Sequence, residues 1–414
     1  MRIAIVCSDA SELMGGEAMI PLQLFREYRK QGIECYLFTH DRVRDELLKL
    51  FDQRDHHYLV FSPDTWLQKK ICRLGHWLPD KLCEMFVYGM MRLFTERRQR
   101  RVLKAWAKAD KIDVVHQPVP ISPRMPTFIF GVGVPVLIGP LNGDIDYPPA
   151  FKGRQHSLER LIVTVGRWGS ELLNYVLPGK RKSSCILVCN DRTRRSLPMA
   201  VRRVETLKSF DNGVVPSVWE GVLQTKREKI ARFVFVGRLV AVKSVDLLFE
   251  ALRLLPNRVS LVIIGDGAER ERLESLAASV EGHDIEFVGF LGHQEIAGHL
   301  QDARALVMPS LAEAGGTNVI EAMASGLPVI GSNWGGIADF LTEDVGILVE
   351  PSSRSGFIAD FAAAMTKLIE DPDLAEEMGR MARERALREY SWEKKGRDYA
   401  VILQRLIDES AAAE

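Results

Sequence analysis

Residues 305–325, ALVMPSLAEAGGTNVIEAMAS, join a buried strand to a helix through a short glycine-containing loop. ALVMPS is a short apolar run that meets a proline, as expected of a strand buried in a parallel sheet. TNVIEAMAS has apolar residues at helical spacing, so the loop through Glu313 to Gly316 leads directly into a helix. The stretch therefore predicts one βα unit of an α/β fold.

The same alternation of short apolar strands and amphipathic segments continues along the whole chain. At 414 residues the chain exceeds the size of a single hydrophobic core, so two domains are expected. We predict two doubly wound, Rossmann-like α/β domains that face each other across a cleft. The predicted strands of the first are RIAIVCS, ECYLFTH, HHYLVF, DVVHQP, PVLIGPL and CILVCN; those of the second are RFVFVGRL, SLVIIGDG, IEFVGF, ALVMPS, PVIGSN and GILVE.

The segment SFDNGVVPSVWEG, residues 209–221, separates the two domains with an Asn-Gly turn and Pro216. We place the N-terminal, acceptor-side domain at 1–215, completed by a C-terminal helix at about 391–414. The C-terminal domain then covers 216–390. Ligands of such sheets bind outside the carboxyl ends of the strands, so the βα loops are expected to carry the chemistry.

Charge and composition limit the classes of partner. Residues 1–216 hold 34 Lys and Arg against 23 Asp and Glu, whereas 217–414 hold 21 against 32, so the halves carry +11 and −11. A basic first half suits an anionic partner, but no nucleic-acid-binding module accompanies it. The six cysteines lack CxxC pairs, and no apolar stretch approaches the roughly 20 residues of a spanning helix. We expect a cytoplasmic protein with reduced thiols, either soluble or peripheral on the inner face of a membrane.

Two glutamates, Glu313 and Glu321, lie in the stretch 305–325. The first amides of its helix are unpaired, and Gly315 and Gly316 let a ligand approach them, so this loop suits a phosphate. Carboxylates beside an anion site make electrostatic sense if they bind hydroxyl groups of the same ligand, such as those of a sugar. The alternative is that both glutamates only complement the positive N-terminus of the helix.

A second strand-to-helix corner, FVFVGRLVAVKSVDLLFEAL, carries two cations. Gly237 ends the strand, Arg238 follows directly, and Lys243 lies near the start of the helix. Together with free amides, these cations can bind a diphosphate. The alternative is that both side chains are simply solvated.

Taken together, these motifs resemble the C-terminal half of family-four retaining glycosyltransferases with the GT-B fold. The shared features are G-R-L-x3-K, VIIGDG, FVGF and PSLAEAGGTNVIEAMASGLPVIGSNWGGIADFL, with the family's E-x7-E at Glu313 and Glu321. The similarity is dense from about 232 to 350. In the first half, MGGEAMI resembles the family's Gly-Gly loop, DVVHQP its histidine-bearing strand end, and DNGV the turn into its second domain.

The resemblance implies four catalytic residues. Arg238 and Lys243 would hold the donor's diphosphate, Glu313 would contact the transferred sugar, and His116 would lie beside the sugar and the scissile bond. A single histidine at a strand end is otherwise more often a hydrogen-bonded structural residue, and that reading of His116 stays open.

The resemblance also implies donor-binding residues. Glu321 would bind the ribose hydroxyls, residues 289–290 would flank the base, and the glycine loop at 15–16 would approach the phosphate or sugar. The complete set is Gly15, Gly16, Gly289, Phe290, Gly315, Gly316, Thr317, Asn318 and Glu321.

Three positions depart from the family's pattern. Ser244 replaces the glycine usual after the lysine, Val215 replaces an acidic residue after the Asn-Gly turn, and residues 338–339 replace a proline-glutamate pair with Ala-Asp. These differences concern the shape of the helix start and donor specificity more than the reaction class.

Two further features concern metal binding and membrane contact. Asp144 and Asp146 form a D-x-D in a Gly/Pro loop, for which we favour an acceptor-side or loop-forming role over a metal site. Residues 66–111 combine Trp77, Phe86, Tyr88 and Phe94 with a cluster of basic residues. This segment either lies on an anionic bilayer or packs its apolar face on its own domain.

The sequence therefore predicts a retaining glycosyltransferase that moves a sugar from a UDP-sugar or GDP-sugar to an acceptor. The basic first half suits an acceptor that is lipid-linked or otherwise held at a membrane, in glycan, polysaccharide or glycolipid biosynthesis, and we expect that neither cofactor nor metal is required. The alternatives are a GT-B nucleotide-sugar epimerase or hydrolase, and a non-catalytic nucleotide-sugar-binding protein. A nicotinamide-dependent enzyme is disfavoured because neither first βα turn has the glycine spacing that pyrophosphate needs there.

Overall fold

The computed structural model describes residues 1–66, 68, 70–71, 87, 89–154, 157–219 and 230–413, with only the backbone for 157–162. The described chain divides into two compact units. Unit 1 comprises Met1–Asp144, Leu161–Asp211 and Lys395–Glu414, and unit 2 comprises Ile145–Arg160 and Asn212–Lys394. Among the described helices, none has the length and apolarity needed to cross a membrane.

Unit 1 contains a seven-stranded parallel sheet in the order β3-β2-β1-β4-β5-β6-β7. Its central strands β4 and β5 are buried along their whole length because helices cover both faces. The buried core includes Ala4, Val115, Ile138 and Ile186 from four different strands. The strands are β1 (Arg2–Val6), β2 (Glu34–His40), β3 (Leu59–Ser62), β4 (Val114–Gln117), β5 (Val136–Leu141), β6 (Cys185–Val188) and β7 (Thr206–Lys208).

The helices of unit 1 follow its strands in the usual βα manner. One further helix, formed by the C-terminal residues of the chain, also belongs to unit 1. Within that last helix, Tyr399 Oη lies 2.7 Å from Ser209 Oγ, and Arg405 lies 3.0 Å from Glu205, so residues 395–413 pack on unit 1. The other helices are α1 (Gly16–Lys30), α2 (Arg44–Leu50), α3 (Gly89–Lys108), α4 (Ser157–Val176), which begins in unit 2 and enters unit 1 at Leu161, and α5 (Asp191–Ser196).

Unit 2 contains a six-stranded parallel sheet in the order β10-β9-β8-β11-β12-β13. In both parallel sheets, therefore, the order in which strands are added reverses once, next to the first strand, as in doubly wound sheets. The strands are β8 (Ala231–Val236), β9 (Val259–Ile264), β10 (Asp284–Gly289), β11 (Ala305–Met308), β12 (Val329–Ser332) and β13 (Gly346–Val349).

The helices that follow these strands alternate with them up to β13 and then form a C-terminal run. They are α6 (Val245–Leu252), α7 (Arg270–Ala277), α8 (His293–Gln301), α9 (Thr317–Ala324), α10 (Gly336–Phe340), α11 (Arg354–Glu370), α12 (Pro372–Tyr390) and α13 (Trp392–Ala413). The stretch 305–325 forms β11, a loop and α9, as its pattern predicts.

The chain passes between units at 211/212 and 394/395, whereas the sequence analysis placed these boundaries at 215/216 and 390/391. The reason lies in a local pairing. Val214 N donates to Tyr390 O at 2.9 Å and Trp392 N donates to Val214 O at 3.0 Å, so the two connections run side by side within unit 2.

Residues 145–160 also group with unit 2, and no sequence signal indicated this excursion. Arg154 forms an ion pair with Asp246 at 2.7 Å, and the Trp334 indole donates to Asp146 O at 2.8 Å. The segment is thus held to unit 2 by polar contacts between residues far apart in sequence.

All twelve predicted strands are present, and β7 is the strand that the sequence analysis missed. It has three residues, Thr206–Lys208, at the edge of the sheet, and only backbone pairing with β6 defines it. A segment this short carries no alternation by which it could be recognised.

Candidate functional site

In the unit 2 sheet the strand order reverses between β8 and β11, which makes this position the topological switch point of the sheet. Loops that leave neighbouring strands on opposite faces of a sheet open a crevice at the carboxyl ends of those strands. The residues in this position are 237–244, after β8, and 309–316, after β11. Both corners singled out in the sequence therefore lie beside each other.

Lys243 and Glu313 connect the two loops directly. The ammonium group of Lys243 donates to Glu313 Oε2, and the two side chains are 12% and 20% exposed. The backbone strengthens this link, since Leu311 N donates to Val242 O at 2.9 Å. A half-buried ion pair at a switch point is a charged site that a more strongly anionic ligand could enter.

Asn318, in the first turn of α9, lies at the same corner. Its Nδ2 donates to Val236 O at 2.6 Å, which fixes α9 to the end of β8. A Cβ built on Gly237 would lie 3.5 Å from Asn318 Nδ2 and 3.6 Å from Lys243 Cε. Gly237 thus stands between the N-terminus of α9 and the lysine.

The start of α9 offers amides to this corner. Val319 N and Ile320 N both donate to Gly316 O, at 2.9 and 3.1 Å. The amides before them belong to the first turn, which has no acceptor within the helix. Arg238, the other predicted cation, follows Gly237 and is exposed. Cations and helix amides together favour a diphosphate.

The glycines of the β11–α9 loop are needed for close packing against α10. A Cβ on Gly316 would lie 2.7 Å from the Phe340 ring, and Gly336 contacts the carbonyl oxygens of Ala314 and Gly315. Gly336 N also donates to Glu313 O at 2.7 Å. Because the carbonyls of the loop turn towards α10, the amides of the same peptides turn away from it.

Glu321 is 7% exposed and lies one turn into α9. Its Oε1 is 3.2 Å from His293 Nε2, and His293 is the first residue of α8. The sequence analysis did not single out His293, because a histidine at a helix start carries no signal without its spatial neighbours. The contact brings the β10–α8 loop to the side of α9.

Gly289 and Phe290 begin that β10–α8 loop. Gly289 has φ +80°, a conformation that favours glycine, and the Phe290 side chain is 85% exposed. An exposed aromatic ring next to a phosphate corner is suited to stacking on a flat base.

Gly265 and Gly267, in the VIIGDG stretch after β9, pack closely against the neighbouring backbone. Their Cα atoms face the carbonyl oxygens of Gly237 and Leu239, where a Cβ would overlap the backbone. Leu239 N donates to Asp266 O at 2.8 Å. These glycines let the β9–α7 loop support the Gly237–Leu239 corner from behind.

Ser244 explains one departure from the family's pattern. It is buried, caps α6, and has φ 52° and ψ 36°, which is the left-handed helical region. Glycine adopts this conformation without steric cost, so a glycine preference at this position has a physical reason. The chain keeps the same turn with serine, at some cost in strain.

His116, in unit 1, lies too deep to contact a ligand in the structure. It is fully buried in β4, Nε2 donates to Gly139 O at 2.9 Å, and Nδ1 lies 3.1 Å from Tyr28 Oη. Burial lowers the pKa of His116 to about 4, so the ring is neutral at physiological pH. These contacts favour the structural alternative for His116: β4 is flanked by β1 and β5 and is buried along its whole length.

Gly15 and Gly16 also belong to unit 1 and are exposed at the start of α1. Gly15 has φ 92° and precedes the helix, and a Cβ there would meet open space. The first turn of α1 is linked to the loop after β4, since Ile121 N donates to Glu17 Oε1 at 3.0 Å. The Gly-Gly loop therefore lies at the β1/β4 switch point of its own sheet.

The D-x-D does not form a paired carboxylate site. Asp144 is ion-paired with Arg167 at 3.0 Å and with Arg124 at 3.3 Å, whereas Asp146 belongs to unit 2. In the part of the chain that the structure describes, no cluster of three or more His, Cys, Asp or Glu could hold a metal ion. Both arginines pair with Asp144, which is compatible with a loop-forming role for this residue.

The segment 66–111 is described only in part, and Trp77, Phe86 and Tyr88 lie outside the described residues. Its C-terminal part is α3, which packs on unit 1 through buried Glu96 and Gln99. Glu96 accepts a hydrogen bond from Phe128 N at 2.8 Å, and Gln99 Nε2 donates to Cys7 O at 2.9 Å. The described part therefore matches packing on its own domain.

Comparison with known proteins identifies the region around this site. Residues 223–385 match the family model described as "Glycosyl transferases group 1". This chain carries a group 1 glycosyltransferase domain. Both loops of the β8/β11 switch point, and the helix α9, lie inside that domain.

Three curated relatives match part of this chain. A sulfoquinovosyl transferase of Arabidopsis thaliana is 35% identical over 38% of this chain and 30% of its own length. A GDP-mannose-dependent monoacylated alpha-(1-6)-phosphatidylinositol monomannoside mannosyltransferase of Corynebacterium glutamicum is 31% identical over 41% of this chain and 45% of its own. A glycogen synthase of Mycobacterium tuberculosis is 28% identical over 51% and 52%. The chain thus spans about half, or less, of the length of these relatives.

Solved structures resemble the whole chain in fold. Sucrose-phosphate synthase from Thermosynechococcus elongatus has a TM-score of 0.66 at 18% identity, covering 99% of this chain and 100% of its own. HepE of Anabaena in complex with UDP-glucose has a TM-score of 0.59 at 14% identity, covering 100% of both chains. The predicted fold class is confirmed: two parallel-sheet, Rossmann-like α/β units with the GT-B fold.

Proposed function

We propose that this protein transfers a sugar from a nucleoside diphosphate sugar to an acceptor, with retention at the anomeric carbon. The observation that carries the proposal is the convergence of Lys243, Asn318 and the amides of α9 on the β8/β11 switch point. Each of these groups can bind or stabilise a diphosphate, and all lie within the glycosyltransferase domain.

The electrostatics of the corner suit a leaving diphosphate. When the bond between the sugar and the diphosphate breaks, negative charge grows on the departing oxygen, and fixed cations and amides stabilise it as it forms. Lys243 and Arg238 supply the cations. A bound diphosphate would compete with Glu313 for Lys243, which frees the Glu313 carboxylate to accept hydrogen bonds from sugar hydroxyls.

Glu321 fits the ribose of the donor. An almost buried carboxylate requires partners, and vicinal hydroxyl groups supply two strong donors in a compact geometry. Phe290 then lies on the side of α9 from which the base would extend, because the contact between His293 and Glu321 holds the β10–α8 loop there.

The proposed roles of the carboxylates bear on how retention would be achieved. Because Glu313 and Glu321 are engaged with hydroxyl groups, neither is a ready nucleophile for a covalent sugar intermediate. We propose departure and attack on the same face of the sugar, with the leaving phosphate oxygen accepting the proton of the acceptor hydroxyl. The cations of the protein take the place that a metal would have, so no metal or cofactor is required.

The named relatives support a nucleotide-sugar donor. HepE of Anabaena has been solved with UDP and with UDP-glucose, and the Corynebacterium relative is named as GDP-mannose-dependent. That relative's printed acceptor is a phosphatidylinositol monomannoside, and the basic charge of the first half of this chain suits an acceptor held in an anionic membrane. We therefore propose a UDP- or GDP-sugar donor and a lipid-linked acceptor, in glycolipid or polysaccharide synthesis at the cytoplasmic face of the membrane.

The test is a panel of UDP- and GDP-sugars assayed for nucleotide release with and without extracted membrane lipids, and with and without a chelator. We expect release with one donor, dependent on lipid and unaffected by chelator, and NMR of the product should show the donor's anomeric configuration. An inverted product would contradict retention, lipid-independent release would indicate a hydrolase, and chelator sensitivity would contradict the metal-free mechanism. Binding without release for every donor would indicate a non-catalytic protein.

A further inference from the structure

Helix α4 turns its apolar face away from the protein. Trp168, Tyr175 and Val176 are 73%, 67% and 64% exposed, and Val165 and Leu172 are more than half exposed. These positions follow one another at spacings of three, four, three and one residues, so they form a single stripe along the helix. An exposed apolar stripe of this length is rare on a soluble protein and marks an interaction surface.

The opposite face of α4 is polar and packs on unit 1. Asn174 is 1% exposed and donates to Arg124 O at 2.7 Å, and Arg167 pairs with Asp144 at 3.0 Å. Glu171 accepts a hydrogen bond from Met199 N at 3.0 Å. A helix on a protein surface normally buries its apolar face, and α4 does the reverse. Its outward face is therefore not explained by the core of unit 1.

A cluster of cations lies next to this stripe. Residues 177–203 contain eight Lys and Arg but a single acidic residue, Asp191. Arg181 lies 5.8 Å from the centre of the Tyr175 ring, and Met199, 73% exposed, extends the apolar surface towards the cations. The exposed cations are Arg181, Lys182, Arg194, Arg195, Arg202 and Arg203.

We propose that the apolar stripe of α4, together with Met199, docks on the surface of an anionic lipid bilayer. A helix with an apolar face that includes tryptophan, and with cations beside it, is suited to lie in the interface between headgroups and acyl chains. The adjacent cations complement anionic headgroups, each contributing attraction that salt weakens. This assignment places the membrane contact at α4 rather than at residues 66–111.

The docking is a property of the surface and does not depend on transferase chemistry. If the proposed function also holds, it brings unit 1 to the membrane in which a lipid-linked acceptor resides. Vesicle binding and nucleotide release are separate measurements, so failure of one proposal is distinguishable from failure of the other.

The experiment is co-sedimentation of the full chain with vesicles of phosphatidylcholine, with and without 30% phosphatidylglycerol, at two salt concentrations. The double variant Trp168→Ser/Leu172→Ser should lower the partition coefficient for anionic vesicles at least about tenfold, since two large apolar side chains no longer enter the interface. Arg194→Gln/Arg195→Gln should lower it less, and only at the lower salt concentration.

Two variants serve as matched controls. Trp66 and Val401 are 74% and 72% exposed, close to the exposure of Trp168, but neither lies on α4. Trp66→Ser and Val401→Ser should bind vesicles like the wild type. Melting temperature and nucleotide binding should be unchanged in all variants, which excludes misfolding as the cause of lost vesicle binding.

Several outcomes would overturn the proposal. Wild-type protein that stays in solution with anionic vesicles, or that binds neutral vesicles equally well, contradicts the assigned partner. Loss of binding with Trp66→Ser but not with the α4 variant would move the membrane contact to residues 66–111. A concentration-dependent dimer in sedimentation velocity that the α4 variant abolishes would assign the stripe to a second copy of this chain.

Discussion

The ammonium group of Lys243 is paired with the carboxylate of Glu313 across the two loops that meet at the β8/β11 switch point. The two residues are 70 positions apart in sequence, and each follows a strand at the centre of the unit 2 sheet. The pair is half-buried, so its charges act with less screening than at an open surface. Such a pair suits an anionic ligand that carries hydroxyl groups, because the ammonium group can bind the anion and the carboxylate can accept hydrogen bonds from the hydroxyl groups.

Replacing Lys243 by alanine should lower turnover by roughly 10²–10³-fold, because one cation no longer stabilises the leaving diphosphate. Turnover with saturating donor is the measurement, alongside a thermal melt to confirm folding. Arg258→Ala is a suitable control, since Arg258 forms an exposed ion pair with Asp284 at 2.7 Å in the same unit. Near-normal turnover of Lys243→Ala would remove the lysine from the mechanism.

Glu321→Gln should mainly raise the KM for the donor. Glutamine keeps the shape of the side chain, but hydrogen bonds from the ribose hydroxyls to a charged acceptor are lost, which corresponds to roughly a tenfold to hundredfold weaker interaction. Steady-state kinetics at varied donor concentration separate this effect from a change in kcat. Glu271→Gln, on the exposed side of α7, is the control, and an unchanged KM for Glu321→Gln would contradict a ribose-binding role.

Gly316→Ala should disturb the loop that carries the α9 amides, because the new Cβ would lie 2.7 Å from the Phe340 ring. We expect weaker donor binding and a lower melting temperature. The second change Phe340→Leu should restore part of both, since it removes the ring that the Cβ meets. Gly298→Ala, in α8 with open space around it, should be neutral or slightly stabilising. Failure of the double variant to recover would show that the contact with Phe340 is not the cause.

Ser244→Gly should stabilise the fold by about 0.5–1 kcal/mol, because glycine adopts the left-handed conformation without the clash that a Cβ causes. Urea unfolding followed by circular dichroism gives the free energy of unfolding. Ala278→Gly, at a right-handed helical position, should have the opposite sign. Destabilisation by Ser244→Gly would mean that the Ser244 side chain contributes more than its strain costs.

The buried His116 should make stability depend on pH between about 4 and 6.5. Its folded pKa of about 4 lies below the ordinary value of 6.5, so the unfolded chain binds the extra proton in this window. The contribution of neutral His116 to the free energy of unfolding is therefore fully present above pH 6.5. It falls as the pH decreases, by at most about 3 kcal/mol. His116→Gln should flatten this part of the profile and leave kcat largely unchanged. A steep loss of kcat without a change in the pH profile of stability would return His116 to the catalytic residues.

The fold could be predicted well because the strands and helices of a parallel α/β architecture produce recognisable local sequence patterns. Each buried strand is a short, mostly apolar run, and amphipathic segments alternate with these runs, so twelve strands could be located one at a time. The edge strand β7 is too short to carry such a pattern. The excursion of residues 145–160 into unit 2 depends on contacts such as that between Arg154 and Asp246, which no local pattern encodes.

The site could be predicted only where its residues belong to motifs. Lys243 and Glu313 stand out because each lies in a glycine-containing loop that follows a strand, whereas the contact between Glu321 and His293 is defined only by folding. The burial of His116 likewise depends on the strands beside β4. The outward stripe of α4 looks like an ordinary amphipathic helix in sequence, and only the structure shows which face meets the protein.

The most direct test of the central claim is a crystal structure with a UDP- or GDP-sugar at the concentration that saturates turnover. We predict that the diphosphate lies within hydrogen-bonding distance of Lys243 Nζ and the first amides of α9, with the ribose hydroxyls on Glu321. An ordered nucleotide bound elsewhere on the molecule, with Lys243 still paired to Glu313, would contradict the account.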